Sequence, residues 1–427
     1  MEFAVPGGWE IVRASPPPAP AGLDLPAAAA EALDAPRGGA PLRELARPRD
    51  AVTLVITDAT RPCPDPVFVP AILERLEAAG VARERITVLI ALGMHRPCTE
   101  EERRGRLGPA YGSVRLEEAQ GANHAEYRDA GTLTGADVPG IPSPVPVRLH
   151  RCITDADLVI STGIVEPHQY AGFSGGAKTV AIGCAGEETI RAIHGVPFLE
   201  HAGTRLGVIE DNPMQRTMIE IGRLAGLRLV LNVARAPGGE PVAVAAGLPD
   251  AVHAELVRAI EPYTWTPVGA DPFDAVLAGV AAPKDANLYQ ASRALTYLAF
   301  LPRPVLRDGA WVVLSARCPE GTGQGPGEKE FAAKMHAADS PEGVLAELRR
   351  GGFGAGGQRA FMLARALRTI RGGIVHDGRN ELSGYGLEIW KTPGDAIRRI
   401  APGLGRNARI LLVPSGLGTL PTPDPIS

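Results

Sequence analysis

The chain has 427 residues, 45% of them hydrophobic, a mean hydropathy of +0.01 and a formal charge of −4. That length and balance fit a globular protein of two or three domains. They exclude a basic nucleic-acid binder and a basic amphipathic membrane-surface helix, and no apolar run approaches the roughly 18 residues of a membrane span.

The N-terminal MEFAVPGGWEIV lacks the positive and apolar regions of a signal peptide. Five cysteines, at 63, 98, 152, 184 and 318, show no CxxC spacing. This argues against a zinc site or a disulfide framework and points to a reducing cytoplasm.

In chain order, residues 14–50 are rich in Pro and Ala and read as a lead-in arm with a short helix between Pro26 and Pro36. AVTLVIT (51–57) is a nearly continuous apolar run, the pattern of a strand buried on both faces. DATRPCPD (58–65) follows it, then a helical VFVPAILERLEAAG (67–80). ITVLIAL (86–92) predicts a second buried strand, and in GMHRPCTEEE after it Thr99 and Glu102 form a capping box. DLVIS (157–161) predicts a third strand and leads into EPHQYAGFSGGAK. EETIRAIHG (187–195) reads as helix, and Asn212 caps a helix opened by Pro213. RLVLNVA (228–234) predicts a strand and PDAVHAELVRAI (249–260) a helix. The aperiodic YTWTPVGADP (263–272) marks a domain boundary, after which DAVLAGV (274–280) opens a second α/β unit. The expected fold class is α/β: two α/β domains, residues 1–268 and 269–427, with an active-site cleft between them. The late strand in ARILLVPSG (408–416) is expected either to stay in the second domain or to return to the first.

In open α/β sheets ligands bind at the carboxyl ends of the strands. Asp58, Arg61 and His95 are therefore expected along one sheet edge. Arg61 offers a planar fork for a carboxylate, which Asp58 can orient; a structural Asp–Arg turn is the plainer alternative. His95 suits acid/base work, since imidazole titrates near neutral pH. In Gly172-Phe-Ser174-Gly175-Gly176-Ala-Lys178, backbone N–H groups can cradle a phosphate and the lysine can react covalently. The spacing is not that of a Walker A loop, and the GxGxxG fingerprint is missing from the strand–helix turns. His168 and His194 flank this loop in a chain with nine histidines. Tyr289, Gln290 and Arg293 lie on the first turns of a helix in the second half. Cys63 and Cys98 read as small loop residues rather than reactive thiols.

Taken in order, DATRPCP, GMHRP, EPHQYAGFSGGAK, ETIRAIH and LYQASRA span residues 58–293. This set resembles the nickel-pincer nucleotide-dependent lactate racemase family of 2-hydroxyacid racemases and epimerases. VPGG (5–8) and VPSGLGTLP (413–421) resemble that family's ends. The resemblance implies a cofactor, pyridinium-3,5-bisthiocarboxylic acid mononucleotide carrying nickel, covalently linked through Lys178. His194 would be the nickel-ligating histidine. His95 and His168 would be the acid/base pair. Arg61, Gln290 and Arg293 would position the substrate, with Asp58 in support, while Ser174, Gly175, Gly176 and Tyr289 would line the cofactor. The implied partners are a small 2-hydroxyacid and the enzymes that make the pincer. Three positions depart from the pattern. Arg293 stands where lactate-acting members have lysine, so another 2-hydroxyacid is the expected substrate. Ile182 replaces a proline, and Ile193 replaces a polar residue before His194.

Two other readings compete. One is a cofactor-binding or non-racemising member of the same fold. The other is a metal hydrolase using His95, His168 and His194 as ligands, but it lacks the nearby carboxylates such a site needs.

Overall fold

The computed structural model describes residues 6–424 apart from 17, 19, 21, 237, 238, 377 and 379–381. Val5, the first residue of the VPGG stretch, lies outside them. The chain forms two compact α/β units. One contains residues 19–204 and 208–261; the other runs from Pro262 onward and takes in Arg205–Gly207 and the first eighteen residues.

The second unit holds strand β1 (Glu10–Arg13), which pairs in parallel with a strand near the far end of the chain. No local pattern announces this. A four-residue strand acquires its partner only when the chain closes on itself.

The sheet of the other unit is built from β2 (Val52–Thr57), β3 (Ile86–Gly93), β4 (Arg115–Gln120), β5 (Leu158–Val165), β6 (Leu227–Arg235) and β7 (Pro241–Gly247). Their order across the sheet is β7-β6-β5-β2-β3-β4, with β7 an antiparallel edge and every other pairing parallel. β2 and β5 are buried along their whole length. That is the requirement of a parallel sheet covered on both faces, and it explains their unbroken apolar runs. From β2 the chain first builds outward to β3 and β4, then returns to place β5 and β6 on the other side of β2. The switch point of the topology lies between β2 and β5.

The Pro/Ala-rich segment is more than a lead-in arm. Helix α1 (Leu25–Asp34), capped by Asp24, buries Ala29 and Leu33 in the core beneath this sheet. The chain after it is hydrogen-bonded to β7, with Arg37 N donating to Ala246 O at 2.7 Å. Helix α2 (Asp65–Ala78) buries Phe68, Val69, Ile72, Leu73 and Leu76 in the same core. Helix α3 (Glu100–Leu107) opens with the expected Thr99–Glu102 capping box. Helices α4 (Lys178–Ala181), α5 (Glu187–Ile193), α6 (Pro213–Leu224, capped by Asn212) and α7 (Pro249–Thr264) follow later in the chain.

In the second unit β8 (Phe273–Gly279), β9 (Leu306–Ser315), β10 (Arg371–Val375), β11 (Leu387–Trp390) and β12 (Arg409–Val413) join β1 in the order β1-β12-β8-β9-β10-β11, all parallel. The late strand β12 thus sits beside β8 in this sheet and does not return to the other one. Contacts divide the chain at Pro262 rather than at 268, because Trp265–Pro267 pairs with Leu420–Thr422. Among the described residues no helix is long and apolar enough to cross a membrane.

Candidate active site

Asp58 leaves the carboxyl end of β2 and is buried. Its carboxylate accepts from Thr60 N at 2.7 Å and Thr60 Oγ1 at 2.6 Å, an Asx turn that bends the chain sharply. The other oxygen meets Nδ1 of His95 at 2.7 Å, from the end of the neighbouring strand β3. Burial would raise the Asp58 pKa, but the hydrogen bond and charge of His95, with Arg61 adding, hold it well below the usual carboxylate range. The ionised carboxylate accepts, so His95 keeps a hydrogen on Nδ1, and in the neutral ring Nε2 is the nitrogen with the lone pair. Half of the His95 side chain is open to solvent.

Arg61 sits three residues on, its side chain one-fifth exposed, 3.5 Å from Glu166 at the end of β5. The two carboxyl ends flanking the switch point therefore meet through Arg61 and Glu166. This is the position where an open parallel sheet leaves a crevice. At that separation the ion pair is not a bidentate clasp, and the guanidinium retains donors for another carboxylate.

His168 has the opposite arrangement. Its Nδ1 accepts from Ala171 N at 3.2 Å and Tyr170 N at 3.4 Å. A neutral ring held this way carries its hydrogen on Nε2. The His168 and His194 rings each lie edge-on to the buried ring of Tyr170, at 5.7 and 5.9 Å between centroids. His194 closes the C-terminal end of α5 and its Nδ1 donates to Ile190 O at 2.9 Å, leaving Nε2 with a lone pair. Burial, aided by the nearby Lys178 charge, pulls its pKa down to about 4, against a smaller raise from Ile190. The ring is neutral at pH 7, as a metal-ligating imidazole must be. Lys178 is the first residue of α4.

The Ser174 and Gly176 donors of the glycine loop are turned into the protein. Ser174 Oγ donates to Ile164 O at 2.8 Å and accepts from Glu166 N at 3.1 Å; Ser174 N donates to Glu166 O, and Gly176 N to Asn232 Oδ1, both at 2.8 Å. Those donors are consumed inside the protein. The glycines serve close packing instead. Gly172 has φ +76°, and a Cβ there would stand 2.2 Å from Val208 O; at Gly175, φ +87°, it would stand 2.5 Å from Val165 Cγ2.

Tyr289, Gln290 and Arg293 are carried by helix α8 (Leu288–Ala299) of the second unit, whose cap Asn287 accepts from Gln290 N at 3.0 Å. Tyr289 packs edge-on to Phe331 and under the buried Arg359. The Arg293 guanidinium has no ion-pair partner among the described residues. Cys63 and Cys98 are buried, and burial pushes both thiols up, away from reactivity. No three His, Cys, Asp or Glu side chains converge as a metal site among the described residues, which removes the geometric basis of the three-histidine hydrolase.

Residue-by-residue reading of the sequence missed Glu166 and Tyr170, although both stand inside the quoted EPHQYAG motif. It also missed Asn232, Asp65 and Arg106, for which no local signal exists. Each acts through a partner distant in the chain.

Residues 1–207 match the family described as the lactate racemase N-terminal domain. The lactate racemase of Thermoanaerobacterium thermosaccharolyticum is 27% identical over 398 residues, covering 91% of this chain and 88% of that relative. The lactate racemase of Lactiplantibacillus plantarum is 27% identical over 395 residues, covering 91% and 89%. The solved lactate racemase apoprotein of T. thermosaccharolyticum superposes with a TM-score of 0.84 at 26% identity, over 96% of this chain and 94% of that one. The chain is similar to lactate racemases over nine-tenths of its length. Its two α/β units have the fold of that solved apoprotein. A Thermotoga maritima protein, 16% identical, shares the fold with a TM-score of 0.66 over 87% of this chain and 93% of that one.

Proposed function

We propose that the chain racemises or epimerises a 2-hydroxyacid with a nickel-pincer nucleotide, using His95 and His168 as the acid/base pair. The observation that carries the reading is the Asp58–His95 dyad beside Arg61 at the switch point. It supplies a proton acceptor and a carboxylate anchor on adjacent strand ends.

The residues fit the cofactor at two positions. The neutral, Nδ1-anchored ring of His194 would hold the metal through Nε2. Lys178 would hold the nucleotide covalently. When bound, the group supplies an acceptor for the C2 hydrogen of the substrate as hydride. Ser174 and Gly176 donate elsewhere, so they act on the site by shaping the loop before Lys178.

The chain's own residues do the rest. Arg61 binds the substrate carboxylate and holds C2 in place while the carbonyl face turns. His95, with its charge balanced by Asp58, takes the hydroxyl proton at Nε2. His168, once its ring carries a second proton, returns one from Nε2 on the opposite side and is left neutral, with Nδ1 again accepting from the Ala171 and Tyr170 amides. Mirror-image substrates need a proton relay on each face, and two histidines from different loops meet that need. Arg293 and Gln290 take part in substrate choice. Arg293 is permanently charged and bidentate where lysine would be a point charge, which favours a 2-hydroxyacid with a further polar or anionic group.

Intact-mass analysis of chain co-expressed with pincer-making enzymes tests this reading. We expect an adduct at Lys178 and about one nickel per chain, followed by interconversion of enantiomers in a chiral assay across a 2-hydroxyacid panel. Neither adduct nor nickel under those conditions would refute it.

A further inference from the structure

The loop from Asp58 to Pro64 carries both the dyad carboxylate and the proposed substrate anchor, yet it contains no helix or strand. What holds it is a cation from elsewhere. Arg106 lies in the last turn of α3, more than 40 residues downstream. Its Nη1 donates to Cys63 O at 3.0 Å and to the Asp65 carboxylate at 3.1 Å. Its Nη2 donates to Ala59 O at 3.4 Å and to Arg61 O. Three alternate carbonyls of the loop thus converge on one planar guanidinium.

Asp65 fixes that guanidinium in turn. It is fully buried, and it also accepts from Thr57 Oγ1 at 2.7 Å and Thr162 Oγ1 at 2.5 Å. Thr57 ends β2 and Thr162 lies in β5, the strands on either side of the switch point. The carboxylate is therefore built into the sheet, and Arg106 transmits its position to the loop. A buried carboxylate so fully paired makes an ordered seat, since removing its cation would leave an uncompensated charge.

We infer that Arg106 is a positioning residue for the reaction. Docked on Asp65, it sets the loop so that Arg61 faces the substrate carboxylate and Asp58 faces His95 Nδ1. It touches no substrate itself. The inference rests on the proposed function only where it speaks of substrate. Lysine cannot replace it, because one ammonium cannot span three carbonyls and a carboxylate in a plane.

The test compares Arg106→Lys and Arg106→Gln with the wild-type full chain, co-expressed with the pincer-making enzymes. KM is expected to rise at least about tenfold as Arg61 loses its aim, and kcat to fall as the dyad loosens, with the lysine variant no better than halfway restored. Nickel per chain and the Lys178 adduct stay at wild-type levels, because Lys178 and His194 stand on helix α4 and at the end of helix α5, away from the loop. Hydrogen exchange at residues 59–63 accelerates in both variants while the remainder of the unit keeps its protection. Wild-type KM and kcat in Arg106→Lys would overturn the inference, as would exchange that speeds up throughout the unit, which marks a general structural role. If the wild-type chain racemises nothing, the proposed function fails, and exchange at 59–63 alone then decides whether Arg106 holds the loop.

Discussion

His253 is a buried histidine on α7 whose ring packs against Gly176, next to the loop that leads to Lys178. Burial lowers its pKa to about 4, although the carbonyls of Ser174 and Phe173 pull it part of the way back. The unfolded chain has the ordinary value of 6.5. On acidification from 6.5 toward 4, the unfolded state takes up a proton that the folded state refuses, so this group removes stability as pH falls. The effect is absent above the unfolded value and complete below the folded one. At 1.36 kcal/mol per pKa unit the whole window is worth about 3.4 kcal/mol, and about 2.5 kcal/mol of it is spent between pH 7 and 4.5. His194 and His150 are lowered as well and act in the same direction. A His253→Gln variant keeps their contributions and loses only its own. Guanidinium unfolding of both proteins at pH 7 and pH 4.5 isolates the difference. The variant starts less stable at pH 7, because Gln leaves part of the imidazole volume unfilled, but it should lose roughly 2.5 kcal/mol less on acidification. Equal losses in the two proteins would show that the imidazole is not held neutral behind the glycine loop.

Gly172→Ala forces a positive φ on a residue with Cβ and drives that atom into the Val208 carbonyl, which is backbone and cannot step aside. We expect a loss of at least about 2 kcal/mol, seen as a lower Tm in calorimetry; an unchanged Tm would contradict the packing described. His95→Gln and His168→Gln should each reduce racemisation by about 100-fold or more while nickel per chain stays constant, measured by chiral assay and metal analysis. Full activity in either variant would end the two-histidine mechanism. Arg293→Lys should raise the kcat/KM for lactate relative to 2-hydroxyacids with a second polar group; an unchanged ranking would remove Arg293 from substrate choice.

Much of the site was legible because its chemistry is local. Asp58, Arg61 and His95 each follow an apolar run of the kind only a fully covered parallel strand needs, and the carboxyl ends of such strands adjoin in space. Thr99, Glu102 and Asn212 announced helix starts through side chains that satisfy their own neighbouring amides. Other features were illegible for an equally definite reason. The Gly172–Lys178 stretch carries the composition of a phosphate loop, but whether its amides face outward depends on Asn232 and Glu166, which strand pairing brings to it. Arg106 reads as one charge among several on an exposed helix; only the closed fold shows that a buried carboxylate and three loop carbonyls surround it.

The sequence by itself determined the α/β class, the strand ends that bear reactive side chains, and through the ordered motifs the likeness to lactate racemases. Period and apolar run length report burial, and reactive residue types report chemistry, without reference to distant partners. Tertiary structure alone decided which nitrogen of His95 keeps its hydrogen, because its acceptor Asp58 stands at the end of a neighbouring strand. It also decided that β1 joins the C-terminal sheet, and that α1 is core rather than arm. In each case the deciding contact lies far along the chain, and its free energy is gained only when both partners are already in place.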